Sequence, residues 1–135
     1  MVVFLAISAL LARFLSIENA ERSKEFVLLR AQARGDVSGM LAQLTGCRQR
    51  PVCVALVQAN ARRLHRPGAV KILSLKSRTA YSLTGATGVT RLAWTVIGRL
   101  PVVQCVQVRR TGNALTGIQV ALLSLSAPIP NEADC

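Results

Sequence analysis

A chain of 135 residues that is 51% hydrophobic has room for one domain and an appendage, and enough aliphatic surface to exclude intrinsic disorder. Only five residues are aromatic, so the core is expected from Val, Leu, Ile and Ala. The net charge of +11 is uneven: twelve Lys or Arg and no carboxylate lie between Val37 and Asn131, which excludes internal neutralisation of that stretch except through Glu132 and Asp134. Such a field suits an anionic partner (DNA, an acidic surface polymer or lipid headgroups) or the acids of a neighbouring copy, and it also simply solubilises.

Met1 to Ala12 is apolar apart from Ser8, and Phe14, Leu15 and Ile17 continue the run past Arg13. Seventeen helical residues span roughly 26 Å, just short of a hydrocarbon core of about 30 Å. A cleavable signal peptide fits poorly, because no basic segment precedes the run and no small-x-small site follows it. A core helix fits poorly too, since the run is apolar on every face. A membrane anchor, or a helix packed among like helices, is the expectation. Basic residues follow the run at Arg13, Arg22, Lys24, Arg30 and Arg34, which by the positive-inside rule places the rest of the chain in the cytoplasm. A basic leader ahead of Met1 would reverse that.

From Glu18 the pattern turns amphipathic. Phe26, Leu29, Ala33, Val37, Met40, Leu41 and Leu44 recur at three- and four-residue spacings. Glu18, Glu21 and Glu25 stand at helical spacings from Arg22, Lys24 and Arg30 and are read as exposed pairs of small effect. One helix over 1–45 is predicted, with 1–17 as the apolar part, 18–45 packing on the rest, and a bend near Gly35 where Asp36 can cap a fresh start.

Residues 46–135 read as a β-domain. Pro51 suits the first turn of a short helix to about Leu64. Strand-like runs follow at Ala69–Leu75, Thr79–Leu83, Val89–Ile97, Pro101–Arg109 and Gly117–Ala127. They are punctuated by Thr84-Gly85-Ala86-Thr87-Gly88, read as a hairpin turn, by Gly98-Arg99 and by Thr111-Gly112-Asn113. Thr90, Leu92, Trp94 and Val96 share one face. The last run is apolar on both faces, so it is expected to be central or to meet another subunit. Short connections imply hairpins. The fold class is therefore α+β, a long N-terminal hydrophobic helix on a four- to five-stranded antiparallel sheet.

Cys47, Cys53, Cys105 and Cys135 allow three pairings, of which 47–53 with 105–135 is preferred from their spacing. Two disulfides imply an oxidising compartment, hence export. Metal binding is not expected, with one His and no Cys-x-x-Cys. No catalytic constellation, cofactor loop or small-molecule site is legible: His65 has no acid nearby in sequence, and the Gly85–Gly88 stretch lacks a phosphate-loop lysine. Arg48, Arg50, Arg62, Arg63 and Arg66 form a candidate polyanion-binding set. Only Tyr81 and Trp94 could stack on bases, which leaves salt-sensitive backbone binding rather than sequence readout.

The layout resembles type IV pilins and pilin-like proteins, including pseudopilins and minor pilins. The carrying features are the apolar run Met1–Ile17, its amphipathic continuation to Leu44, the antiparallel sheet and the late pair Cys105 and Cys135. The phrase Met1-Val2-Val3-Phe4-Leu5-Ala6-Ile7 looks like the interior of such a helix. Position 5 carries Leu where a mature pilin usually carries Glu, so the family's carboxylate contact is assigned to no residue here. The resemblance implies a non-enzymatic, extracellular filament of identical subunits, held in the inner membrane before assembly. Val3, Phe4, Ile7, Leu10, Leu11, Phe14 and Leu15 would form its core. The alternative is a membrane-anchored or tip-located module whose basic face captures DNA or another polyanion.

Overall fold

The apolar run and the amphipathic stretch after it form one continuous helix, α1 (Val2–Ala33), in the computed structural model of the chain. Residues 1–78, 85–113 and 117–135 are described. The predicted passage to Leu44 is broken rather than bent. Gly35 sits at φ +69°, its N–H bonds Gln32 O at 2.9 Å, and the Asp36 N–H reaches Ala31 O at 2.9 Å. These two bonds close the helix through a left-handed residue that only glycine adopts cheaply. Asp36 then caps α2 (Val37–Gln43), its side chain accepting from the Gly39 N–H at 2.9 Å. α2 lies close on α1, where a β-carbon at Gly39 would come within 3.3 Å of Ala31 Cβ. That approach brings Met40 and Leu44 into the core.

A 3-10 turn at Cys47–Gln49 leads into α3 (Pro51–Arg63), with Pro51 in its first turn. The Cys47–Cys53 disulfide ties this turn to α3, with Cα atoms 5.4 Å apart. Four strands follow: β1 (Val70–Ser77), β2 (Gly85–Val96), β3 (Val102–Asn113) and β4 (Gly117–Leu125). They form one antiparallel sheet in the order β1-β2-β3-β4. The predicted run Thr79–Leu83, with Tyr81, lies outside the described residues.

Three expectations about the sheet are corrected. Gly85–Gly88 is not a turn but the start of β2, paired with Val108–Thr111. Likewise Thr111–Asn113 continues β3, with Gly112 opposite Ile118. Small residues that punctuate a sequence are held in a strand when the partner supplies the ladder, here with Gly112 at φ +104°. Finally, β4 is an edge strand and not a central one.

β4 is nevertheless buried, for two reasons. A register shift at Gln107/Val108 sets Leu122 opposite Val108 and Leu125 opposite Val106. The extra residue lets Val120, Leu122 and Leu125 all join the helix-facing core. In addition, other elements cover its free carbonyls. Thr45 N–H donates to Leu122 O at 2.7 Å, Lys24 Nζ to Val120 O and Arg50 to Leu123 O, and just past the strand Asn60 Nδ2 donates to Ser126 O at 3.0 Å.

The core lies between α1, α2 and α3 on one side and the inner sheet face on the other. Thr90, Leu92, Trp94 and Val96 are buried together, as their alternation predicts. A polar network runs through this layer. Trp94 Nε1–H donates to Gln104 Oε1 at 2.9 Å, and Gln32 Nε2 to the same oxygen at 3.0 Å. Gln104 Nε2 in turn donates to Ser126 O at 2.8 Å.

The tail crosses the outer face. Cys135 is bonded to Cys105 of β3, with Cα atoms 5.8 Å apart. Arg91 donates to Ala133 O at 2.9 Å and to Asn131 O, and Arg78 pairs with Asp134 at 3.1 Å. Both disulfides join the preferred partners. The last few residues thus answer two of the basic side chains on the outer side of the sheet.

Candidate functional site: the helical arm and its anchor

The two ends of α1 stand in opposite environments. From Met1 to Leu15 every described side chain is exposed: Phe4 is 75% accessible, Leu10 62% and Ile7 52%. Val3, Leu11 and Leu15 are exposed as well, and the side chain of Phe14 lies outside the described set. At 1.5 Å per residue this arm projects roughly 22 Å beyond the domain. α1 is long and apolar enough to cross a membrane, and the apolar window is 0% buried within the chain. The six described side chains of the seven predicted to form a filament core are thus left uncovered by their own domain.

Ile17, predicted as part of the free apolar run, instead packs on the edge of the core, and one turn further on the helix meets the sheet through buried charge. Glu21 and Glu25 are 1% and 0% accessible, which corrects their reading as exposed surface pairs. Glu21 binds the Arg110 guanidinium of β3 at 2.5 Å and accepts from Thr90 Oγ1 of β2 at 2.6 Å. Arg110 points inward because it is in phase with Gln104, Val106 and Val108, which share the core face. Arg22 and Lys24 are exposed and, among the described residues, form no ion pair within 4 Å of these acids, Arg22 acting on Glu25 only through its more distant charge.

Burial pushes the Glu25 carboxyl up to about 8, and the neighbouring Glu21 charge and hydrogen bond push the same way against Arg110 and Arg22. Two carboxylates one helical turn apart share the field of a single guanidinium. Desolvation therefore favours leaving one of them protonated. Further along, Leu28 and Leu29 complete the docking in hydrocarbon, and Arg30 stacks 5.7 Å above the Phe26 ring.

The candidate polyanion residues do not form one patch. Arg50 is committed to backbone carbonyls, bonding Gly46 O at 3.2 Å as well as Leu123 O. Arg66 donates to Leu100 O at 2.7 Å and lies 6.0 Å from the Trp94 ring. Arg62 and Arg63 are exposed at the C-terminal end of α3, and Arg48 is exposed before its start. One helix length, about 18 Å, separates the two groups. Among the described residues no group of three or more His, Cys, Asp or Glu could hold a metal ion.

Sequence reasoning missed the anchor, although its phase was available. Glu21, Glu25, Leu28, Leu29 and Gln32 follow one helical stripe, so the apolar seam extends backwards onto the two acids. The chain matches no family model, no curated protein and no solved structure.

Proposed function

We propose that the chain is a structural subunit of a type IV pilus-like filament at the cell surface, assembling through the arm of α1. The observation that carries this reading is the arm itself, apolar on all sides and left uncovered by its domain. Such a helix cannot remain in water; it requires lipid or other copies of itself. Parallel packing of many copies covers every one of its faces.

The domain suits the outside of such an array. Its β4 edge is closed by helix and loop contacts, and its tail is tied down by Cys105–Cys135. The disulfide suits an oxidising exterior, and the closed edge leaves the arm as a surface seeking a partner. A second copy offers the same surface displaced along the axis, and a contact of that type propagates as a helical filament.

Shearing appendages from producing cells and imaging them by negative stain, with the subunit identified by mass spectrometry, tests the proposal. Filaments built of this chain are expected. Recovery of the chain solely as a detergent-solubilised monomer would sink it.

A further inference from the structure

We propose that neighbouring copies in the assembly are locked in register by an ion pair between Arg13 of one chain and Glu18 of the next. The proposal rests on the filament reading and names the contact that sets its axial stagger.

Arg13 is the one charged side chain within the apolar run, and it is exposed. No hydrogen bond or ion pair of its own chain engages it among the described residues. Packed among apolar helices, an unpaired guanidinium is costly, and a carboxylate partner with good geometry removes most of that cost.

The six acids of the chain leave few choices. Glu21 is held by Arg110 and Thr90, and Glu25 is buried beside Glu21. Asp36 caps α2, and Asp134 pairs with Arg78. Glu132 sits in the tail on the outer side of the sheet, away from α1. Glu18 remains. It is exposed on α1, without a hydrogen bond or ion pair among the described residues, at the point where the arm leaves the domain.

Arg13 and Glu18 cannot satisfy each other within one helix. Five residues at about 100° each place them roughly 140° apart around the axis, on different flanks. One helix therefore offers a cation on one side and an anion on another, which is the form of a head-to-tail contact between copies. Bringing Arg13 level with a neighbour's Glu18 requires an axial offset of about 7.5 Å, within the reach of the two side chains. In a parallel arrangement that offset lays residues 1–12 of one arm beside residues 6–17 of the next, apolar against apolar. In an antiparallel arrangement the same pair would set the arm against the partner's domain and leave hydrocarbon uncovered.

The test is a charge-swap cycle in the full-length chain, read as the pelletable filament fraction by microscopy and sedimentation. Arg13→Glu and Glu18→Arg are each expected to lower assembly about tenfold or more, and the double swap to restore it to within about threefold of wild type. Mixing the two single variants in one cell should also restore filaments, because each supplies the charge that the other lacks. Circular dichroism of detergent-solubilised variants should match wild type, since both positions are exposed. Single swaps that assemble normally, or a double swap no better than the worse single, would overturn the ion pair while leaving the filament reading intact. Wild-type chains that never assemble would instead remove the reading on which it rests.

Discussion

The first and second halves of α1 reverse the usual expectation for a helix. The exposed half, Met1–Leu15, is almost wholly apolar, whereas the packed half buries Glu21, Glu25 and Gln32 beside Leu28 and Leu29. Composition alone would assign them the other way. What separates the halves is the presence of a partner. The sheet supplies Arg110, Thr90 and Gln104 to receive Glu21 and Gln32 of the second half. Nothing among the described residues covers the hydrocarbon of the first. A helix can thus be rigid and continuous while its two ends are addressed to different molecules.

The sharpest way to break the comparison is to remove one acid from each side of the boundary. Glu21→Ala removes the carboxylate that Arg110 binds at 2.5 Å and is expected to cost about 3–5 kcal/mol of domain stability. Glu18→Ala, three residues earlier and exposed, should stay within about 0.5 kcal/mol. Urea unfolding in detergent measures both, and equal losses would mean that the boundary is misplaced.

A hydrophobic pair probes the same divide. Leu28→Ala opens a cavity in the core and should cost about 2–5 kcal/mol. Leu10→Ala removes the same group from the arm and should leave the domain's unfolding midpoint unchanged, its effect appearing in assembly alone.

The third prediction concerns pH. Folded Glu25 holds its proton up to about 8, against a usual carboxylate value of 4.5, so the unfolded chain releases that proton first as pH rises. Its contribution is therefore fully present below about 4.5, declines as pH rises towards 8, and is flat above that. Glu25→Gln should abolish this slope, so that its stability relative to wild type grows from pH 5 to pH 8. Parallel stability curves over that window would show that the carboxyl is ionised throughout or solvated.

Much of this architecture was legible before any coordinates. The helix, the weak point at Gly35 (read as a bend, found as a break), the cap at Asp36, α3 from Pro51 and the inward face of β2 all follow from short-range rules: left-handed glycine, side-chain caps, fixed φ of proline and period-two alternation. Where reading failed, the deciding contact was distant in sequence. Gly85–Gly88 and Thr111–Asn113 belong to strands because each pairs across the sheet, although Gly112, at φ +104°, takes a conformation that only glycine adopts cheaply. Glu21 and Glu25 resemble surface acids until Arg110, 89 residues from Glu21, is brought opposite. Arg50 and Arg66 read as free cations until the carbonyls of Leu123 and Leu100 are in place.

By itself, the sequence determined that one end of the helix is apolar on every face, that the domain is an antiparallel sheet, and which cysteines could tie it. Those properties depend on composition and period, which are local. Only the tertiary structure decided that β4 lies at an edge, that the anchor of the arm is ionic, and that Arg13 and Glu18 are left unanswered. Each of these depends on which distant group fills a given space, and no local pattern encodes that.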